Sequence, residues 1–385
     1  MLSRAQRSFL GEWWWTIDRL LLWAVVVLVF IGLVLMLAAS PPVAIRLGAD
    51  PFHFVNRHAI YLVPALAVLL LTSMLTPRQV RHVALVVFVI GVVLSFATLF
   101  IGPEIKGARR WLSIFGVSVQ PSEFMKPAFV VLAAWAFAES GRRPEMPATL
   151  AALGLLAVAT VPLVYQPDIG QTALLILVWC ALFFLSGVRW TWLVGTASVA
   201  VLALFAAYQF VPHVTVRIRR FLDPGSGDTF QIDTALESFV RGGWLGRGPG
   251  EGTMKRILPD GHADFVFAVA AEEFGIVLCL ILVVLFAFIV LRTLAHAMRE
   301  EDAFGRFAVA GLGLLFGLQA AIAMAVNLHL MPAKGMTLPF ISYGGSSLIS
   351  LAFGMGMLIA LTRRRSRAEA IAEREYQAAR GGARA

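Results

Sequence analysis

Residues 20–39 read LLLWAVVVLVFIGLVLMLAA, an uninterrupted apolar run without a single charge. A helix rises about 1.5 Å per residue, so roughly 20 such residues cross the ~30 Å hydrocarbon core of a bilayer. The run is too long for the apolar core of a signal peptide. Despite the small residues Ala38-Ala39-Ser40 after it, it is expected to be an uncleaved first span. Nine more segments read the same way: 59–75, 83–101, 122–140, 148–164, 170–187, 190–211, 265–291, 305–329 and 344–361. Lipid offers backbone N–H and C=O groups no partner, so each segment is expected to be helical, and no period-two alternation suggests a barrel. The expected fold is an all-α polytopic membrane protein with ten transmembrane helices over 20–361. A segment 1–19 precedes them, a large loop 212–263 joins the seventh helix to the eighth, and a basic tail 362–385 follows.

Composition agrees. The chain has 385 residues, 59% hydrophobic and 14% charged, with a mean hydropathy of +0.80; about a quarter of a soluble domain is charged. The net charge of +9 lies mostly in short connections, which suits lipid headgroups and topology control rather than nucleic acid. Cys180 and Cys279 sit inside apolar runs, so no disulfide is expected, and no zinc-type cluster exists.

Arg363-Arg364-Arg365-Ser366-Arg367 marks a cytoplasmic flank. With ten helices, Arg78 and Arg81, Arg142 and Arg143, and Arg292 and Arg299 fall on that same side, and both termini are cytoplasmic. The other side is unexpectedly basic. The 102–121 connection holds Lys106, Arg109 and Arg110, and the 212–263 loop holds Arg217, Arg219, Arg220, Arg241, Arg247, Lys255 and Arg256. Positive charge kept against the topological bias points either to an anionic ligand on the outer face or to contact with anionic headgroups. Phe221, Phe230, Phe239 and Trp244 argue against disorder in the long loop.

Polar groups at membrane depth are costly and mark places to search. In Gln120-Pro121-Ser122-Glu123-Phe124-Met125-Lys126, Ser122 suits an N-cap, and Glu123 and Lys126 share a helix face and can pair, for structure alone or for function. Asp264, in His262-Ala263-Asp264-Phe265, stands where the long loop becomes a helix. It is either an N-cap or a general base, with Asp260 and His262 as competitors for the latter. A carboxylate facing a pool of cations suits proton removal from a sugar hydroxyl while the cations stabilise a departing diphosphate. Glu272 and Glu273 lie inside the apolar zone, so at least one needs a cation from elsewhere, Lys126 being a possibility. The segment from Pro332 to Ser347 is broken by proline and glycine. Gly344-Gly345-Ser346-Ser347 either holds a phosphate on free amides or packs closely against another helix. Asp168, in Gln166-Pro167-Asp168-Ile169-Gly170, is expected to cap a helix.

In order along the chain, Arg109-Arg110-Trp111, Gln120-Pro121-Ser122-Glu123 with Lys126, Gln166 to Gly170, Arg220-Phe221-Leu222-Asp223-Pro224, His262 to Phe265, Ala271-Glu272-Glu273-Phe274-Gly275 and Leu338 to Ser347 resemble the SEDS family (shape, elongation, division and sporulation). Lys334-Gly335 before Met336-Thr337-Leu338-Pro339 looks like the division branch. Lys106 and Asp260-Gly261 depart from the common pattern without touching Asp264. The resemblance implies ten helices with a large outer loop between the seventh and eighth. It implies a glycosyltransferase polymerising lipid II at the periplasmic face of a bacterial inner membrane, releasing undecaprenyl pyrophosphate. It also implies a class B penicillin-binding protein and other division proteins as partners at the septum. Asp264 is then the catalytic base. Lys106, Arg109, Arg110, Trp111, Gln120, Ser122, Glu123, Lys126, Lys255, Arg256, His262, Ser342, Gly344, Gly345 and Ser346 are candidates for substrate binding, with Mg2+ or Mn2+ as a conceivable aid. Glu272, Glu273 and Asp168 are structural candidates. A lipid II flippase and a non-catalytic division scaffold are the rival readings.

Overall fold

The computed structural model describes residues 9–364 apart from 106, 115, 143–146, 188–190, 193, 197, 199–201, 203, 204, 206, 207, 210–214, 217, 220, 222, 224–228, 333 and 334. Lys106 and most of the expected seventh segment therefore lie outside the described residues. The chain runs through α1 (Phe9–Thr16), α2 (Arg19–Arg46), α3 (His53–Ser73), α4 (Pro77–Ile101), strands β1 (Leu112–Ile114) and β2 (Val117–Val119), α5 (Pro121–Arg142), α6 (Ala148–Tyr165), α7 (Ile169–Leu185), α8 (Phe230–Gly242), a 3-10 turn (Met254–Arg256), α9 (Val266–Arg299), α10 (Ala303–Asn327) and α11 (Gly345–Leu361). Among the described residues six helices, α2, α3, α4, α6, α9 and α10, are long and apolar enough to cross a membrane, and α7 and α11 are shorter apolar helices. The chain is a multi-pass membrane protein.

Apart from 190–211, the expected segments fall on these helices, with changes at the ends. α2 runs on past the expected end at residue 39, through Pro41 and Pro42 to Arg46; a membrane helix tolerates proline when its surroundings supply the lost pairing. α4 starts earlier, at Pro77, because Thr76 and Gln79 form a reciprocal capping box. The connection 102–121 contains the antiparallel hairpin of β1 and β2. The 212–263 loop contains α8 and the 3-10 turn.

α5, α10 and α11 bury most of their residues and form the centre. α11 lies along α3 at a glycine seam: a Cβ on Gly356 would collide with the Thr72 hydroxyl, and one on Gly345 would meet the Tyr61 ring at 2.8 Å. Small residues let membrane helices approach closely and gain dispersion contact. At one end of the bundle Asp18 caps α2 through Leu20 N and Leu21 N at 3.0 and 3.1 Å and pairs with Arg292 at 2.7 Å and with His296. Burial works to raise the Asp18 carboxyl, but these hydrogen bonds outweigh it and hold the group well below the ordinary carboxylate range. The same end holds the junction of Arg364 N with Thr16 O at 2.9 Å. The start of α9 lies toward the other end, at most about 40 Å along the helix from Arg292 at about 1.5 Å per residue.

α9 is broken at Gly275, whose φ is 77°. The break leaves carbonyls before it and amides after it without helical partners, a cost lipid cannot relieve. Residues 243–248 enter the gap. Arg247 N and Gly248 N donate to Glu272 O and Glu273 O at 2.9 and 3.0 Å, while Ile276 N and Val277 N donate to Gly243 O and Trp244 O at 2.9 and 3.2 Å. The two carboxylates then organise the rest of the loop. Glu272 Oε1 accepts from Thr253 N at 2.6 Å and Met254 N at 2.8 Å, and its Oε2 accepts from Lys255 N at 3.2 Å. Glu273 pairs with the Lys255 ammonium, which also donates to Ala38 O at 3.2 Å. The cation for these glutamates is therefore Lys255 of their own loop. Lys126, the candidate raised by the sequence, sits on α5 with other partners.

A Cβ at Gly275 would overlap the Trp244 carbonyl oxygen and sit at a strained φ. Gly275→Ala should cost at least about 2 kcal/mol, read as a lower midpoint in thermal unfolding of the detergent-solubilised protein with its loop more open to protease. Glu273→Ala strands the buried Lys255 ammonium and should cost about 3–5 kcal/mol. Adding Lys255→Met should recover part of that loss, and additive losses in the double variant would count against the pairing.

Candidate functional site

Asp260 has a φ of 52° and opens a tight turn in which its carbonyl accepts from Ala263 N at 2.9 Å and Asp264 N at 3.0 Å. The turn delivers the chain into α9, whose N-cap position is Phe265. Asp264 is therefore not the helix cap, and its half-buried side chain lies on the turn itself. Two elements clamp this turn. From α10, Asn327 Nδ2 donates to Asp264 O at 2.8 Å, and Asn327 Oδ1 accepts from Ala268 N at 3.0 Å in the first turn of α9. From the segment before α11, Ser342 Oγ donates to Ala263 O at 2.6 Å, and Tyr343 N donates to His262 O at 2.9 Å. Gly335 lies against the carboxylate, so that a Cβ there would stand 3.1 Å from Asp264 Oδ2. Asn327 was missed by the sequence reading. Its signal was present, an amide at the end of an apolar run.

His262 is buried with its ring 4.6 Å from Phe54 and 5.3 Å from Tyr343; Phe54 and Tyr343 are 5.1 Å apart. The start of α3, which no sequence motif singled out, thus forms one wall of the site. Burial is the main influence on the Tyr343 hydroxyl and raises it, with the positive charge of Arg57 on α3 opposing.

The cations expected around Asp264 are distributed differently. Lys255 is 4% exposed and held by Glu273, so it faces inward because the α9 break needs its charge. Arg110 donates to Gln166 O at 3.2 Å and Pro167 O at 2.8 Å and stands 3.5 Å from Asp168 Oδ2. It locks the turn between α6 and α7, where Asp168 caps α7 through Gln171 N at 3.4 Å. Arg109 is exposed and 3.6 Å from Glu104. Trp111 is half-buried at the foot of β1. Arg256 is exposed.

Ser122 is not an N-cap, because Pro121 already occupies the first helical position of α5. Its buried hydroxyl has no hydrogen-bond partner among the described residues. Lys126, 1% exposed, donates to Glu123 Oε1 at 3.0 Å, Gln171 Oε1 at 2.8 Å and Gln319 Oε1 at 3.2 Å, joining α5, α7 and α10. Gln319 Nε2 continues to Thr337 O at 3.2 Å, two residues from Gly335. A cavity of about 30 Å³ beside Glu123, Gln319 and Ser350 is large enough for a water. Gly345 serves helix packing against Tyr61, Gly344 caps α11, and the Ser346 hydroxyl accepts from Gln120 N at 3.2 Å. Among the described residues no three His, Cys, Asp or Glu side chains converge as a metal site.

Comparison with known proteins places this arrangement. The FTSW_RODA_SPOVE model, described as cell cycle protein, matches residues 19–367. A protein of Caulobacter vibrioides named probable peptidoglycan glycosyltransferase FtsW is 46% identical over 364 residues, covering 94% of this chain and 93% of its own. One of the same name from Aliivibrio salmonicida is 33% identical over 355 residues, covering 89% and 88%. Among solved structures, a chain of a peptidoglycan synthase complex described as coordinating polymerization and crosslinking superposes with a TM-score of 0.76 at 28% identity, over 90% of this chain and 97% of that one. The Thermus thermophilus rod shape determining protein RodA gives 0.66 at 27% identity, over 91% and 98%. With a match running almost end to end and a relative this similar, the chain belongs to the FtsW/RodA/SpoVE family of cell cycle proteins.

Proposed function

We propose that the chain is a peptidoglycan glycosyltransferase of the division branch, which polymerises lipid II into β-1,4 glycan strands at the periplasmic face of the inner membrane. The observation that carries the reading is the Asp264 carboxylate, half-open on a clamped turn at the bundle end opposite the Thr16–Arg364 junction. With the termini cytoplasmic, that end is periplasmic.

Asp264 takes the proton from the 4-hydroxyl of the acceptor N-acetylglucosamine. The freed oxygen pair forms a bond to the anomeric carbon of the N-acetylmuramic acid on the growing strand. The bond from that carbon to the diphosphate breaks with inversion, and undecaprenyl pyrophosphate leaves carrying the electron pair. Cations nearby stabilise the negative charge that grows on the diphosphate. A Mg2+ or Mn2+ ion would find the Asp264 carboxylate here and take its other ligands from substrate oxygens and water, the mode magnesium favours. The partner is a class B penicillin-binding protein at the division septum, which crosslinks the strands made here.

The flippase reading would use the buried charges of α5 as a path. Lys126 is instead closed off by three side-chain oxygens, beside a cavity the size of one or two waters.

Purified with such a partner and given lipid II, the chain should make glycan strands. Asp264→Asn should lower the rate by about 10²-fold or more without changing the melting temperature; full-length strands at the normal rate would remove the catalytic assignment. Gly335→Ala, which pushes a methyl toward Asp264 Oδ2, should slow turnover by about tenfold, and an unchanged rate would show that the Gly335 contact does not position the carboxylate.

A further inference from the structure

The reaction at Asp264 leaves the other end of the bundle, at the Thr16–Arg364 junction, without a role. Arg19 is the first residue of α2, and the uncharged run 20–39 follows it, so its guanidinium stands where hydrocarbon gives way to headgroups. Arg19 is half-buried against α1, with the guanidinium 4.4 Å from the centre of the Trp15 ring and 5.5 Å from that of Trp14. The preceding residue, Asp18, commits its carboxylate to Arg292 and His296 of α9. Among the described residues no carboxylate pairs with Arg19. Four residues on, along the same face of α2, Trp23 is 55% exposed, as is Leu20. The ring platform is firmly seated. Trp13 beside it is buried and donates from Nε1 to Ser73 Oγ, at the end of α3, at 2.9 Å. Thr16 accepts from Arg364 N at its carbonyl, at 2.9 Å, and from Arg363 Nε at its hydroxyl, at 3.0 Å.

We propose that Arg19 and the Trp14–Trp15 platform form a site for the headgroup phosphate of an anionic phospholipid, with Leu20 and Trp23 against its acyl chains. Stacking occupies the face of a guanidinium and leaves its N–H edge to donate to phosphate oxygens. Half-burial against the rings removes part of the water that would otherwise screen the charge. The exposed apolar side chains favour a phosphate that carries chains over a free one, and tryptophan settles at this level of a bilayer. A zwitterionic headgroup gains less, because the rings are already taken by Arg19 and the nearest carboxylate in sequence, Asp18, is taken by α9. With the termini cytoplasmic, the leaflet is the inner one. A lipid held here ties α1 to α2 and so reinforces the seating of α1 on α3. The site stands independently of the polymerase reading.

The test uses the full chain, delipidated in detergent. Native mass spectrometry measures binding of phosphatidylglycerol, of phosphatidylcholine and of glycerophosphoglycerol, the headgroup without chains. The melting temperature is read in phosphatidylcholine nanodiscs with and without phosphatidylglycerol. Phosphatidylglycerol should bind more tightly than phosphatidylcholine and raise the melting temperature, and the chainless headgroup should bind weakly. Arg19→Gln should weaken phosphatidylglycerol binding by about fivefold and cancel its effect on melting, with phosphatidylcholine binding unchanged. Replacing both Trp14 and Trp15 by Leu should weaken it less, and Arg19→Lys should keep part of the affinity. Arg299→Gln removes another exposed arginine from the same end, on α9, and should leave binding unchanged. Equal losses in Arg19→Gln and Arg299→Gln would show attraction spread over the whole basic surface and overturn the site, as would wild-type affinity in Arg19→Gln. Chainless headgroup bound as tightly as the phospholipid would overturn the assignment to a lipid.

Discussion

A helix broken inside a membrane must have its exposed backbone groups paired by something other than water. In this protein the break at Gly275 and its repair by residues 243–248 meet that demand. The repair draws the long loop into the bundle wall, and Glu272 and Glu273 anchor the loop's next stretch through three backbone amides and the Lys255 ammonium. The turn carrying Asp264 begins five residues beyond Lys255, so its position follows from where the loop is pinned. The glutamates and Lys255 are buried together, which makes each depend on the other. An unpaired charge at that depth would cost several kcal/mol.

The site is the meeting point of four separately made elements. α9 supplies the carboxylate's turn, α10 supplies Asn327, the strap before α11 supplies Ser342 and Gly335, and α3 supplies the ring wall. Every backbone carbonyl from residue 262 to 264 accepts a hydrogen bond from one of these neighbours. Gln319 ties the same strap, at Thr337, to the ammonium of Lys126. The buried ion pair of α5 is thus mechanically joined to the Asp264 turn without facing it. A turn whose carbonyls are held from several sides has little conformational freedom left to lose.

The membrane fold was legible because lipid imposes a length rule that single residues cannot hide, and the apolar runs landed on helices. Helix ends were less legible. The apolar run ends at residue 39, yet α2 continues through Pro41 and Pro42 to Arg46, because proline's missing amide is judged against surroundings that the sequence does not display. Ser122 reads as a cap, yet Pro121 ahead of it had already begun the helix. In the site, Asp264, His262 and Ser342 stood out as polar groups in apolar or broken stretches. The commitments of the cations did not. Arg110 finds Asp168 and Lys255 finds Glu273 through tertiary pairing, and charge counting alone treats every arginine and lysine in an outer loop as equally available. The α3 wall was invisible for a related reason: Phe54 and Arg57 lie in an ordinary helix start and matter only through the partner across the groove.

The seam between α3 and α11 joins one of the first spans to be synthesised to the last described one. Gly345 and Gly356 lie close against Tyr61 and Thr72, so α3 waits in the bilayer with that side uncovered until α11 has been made. Contacts that distant in sequence close slowly, and an incomplete chain would present a groove lined with hydroxyls to lipid or to neighbouring proteins. Translation arrest just before α11 would therefore yield an inserted but unlatched species, with the Tyr61 and Thr72 side of α3 still uncovered.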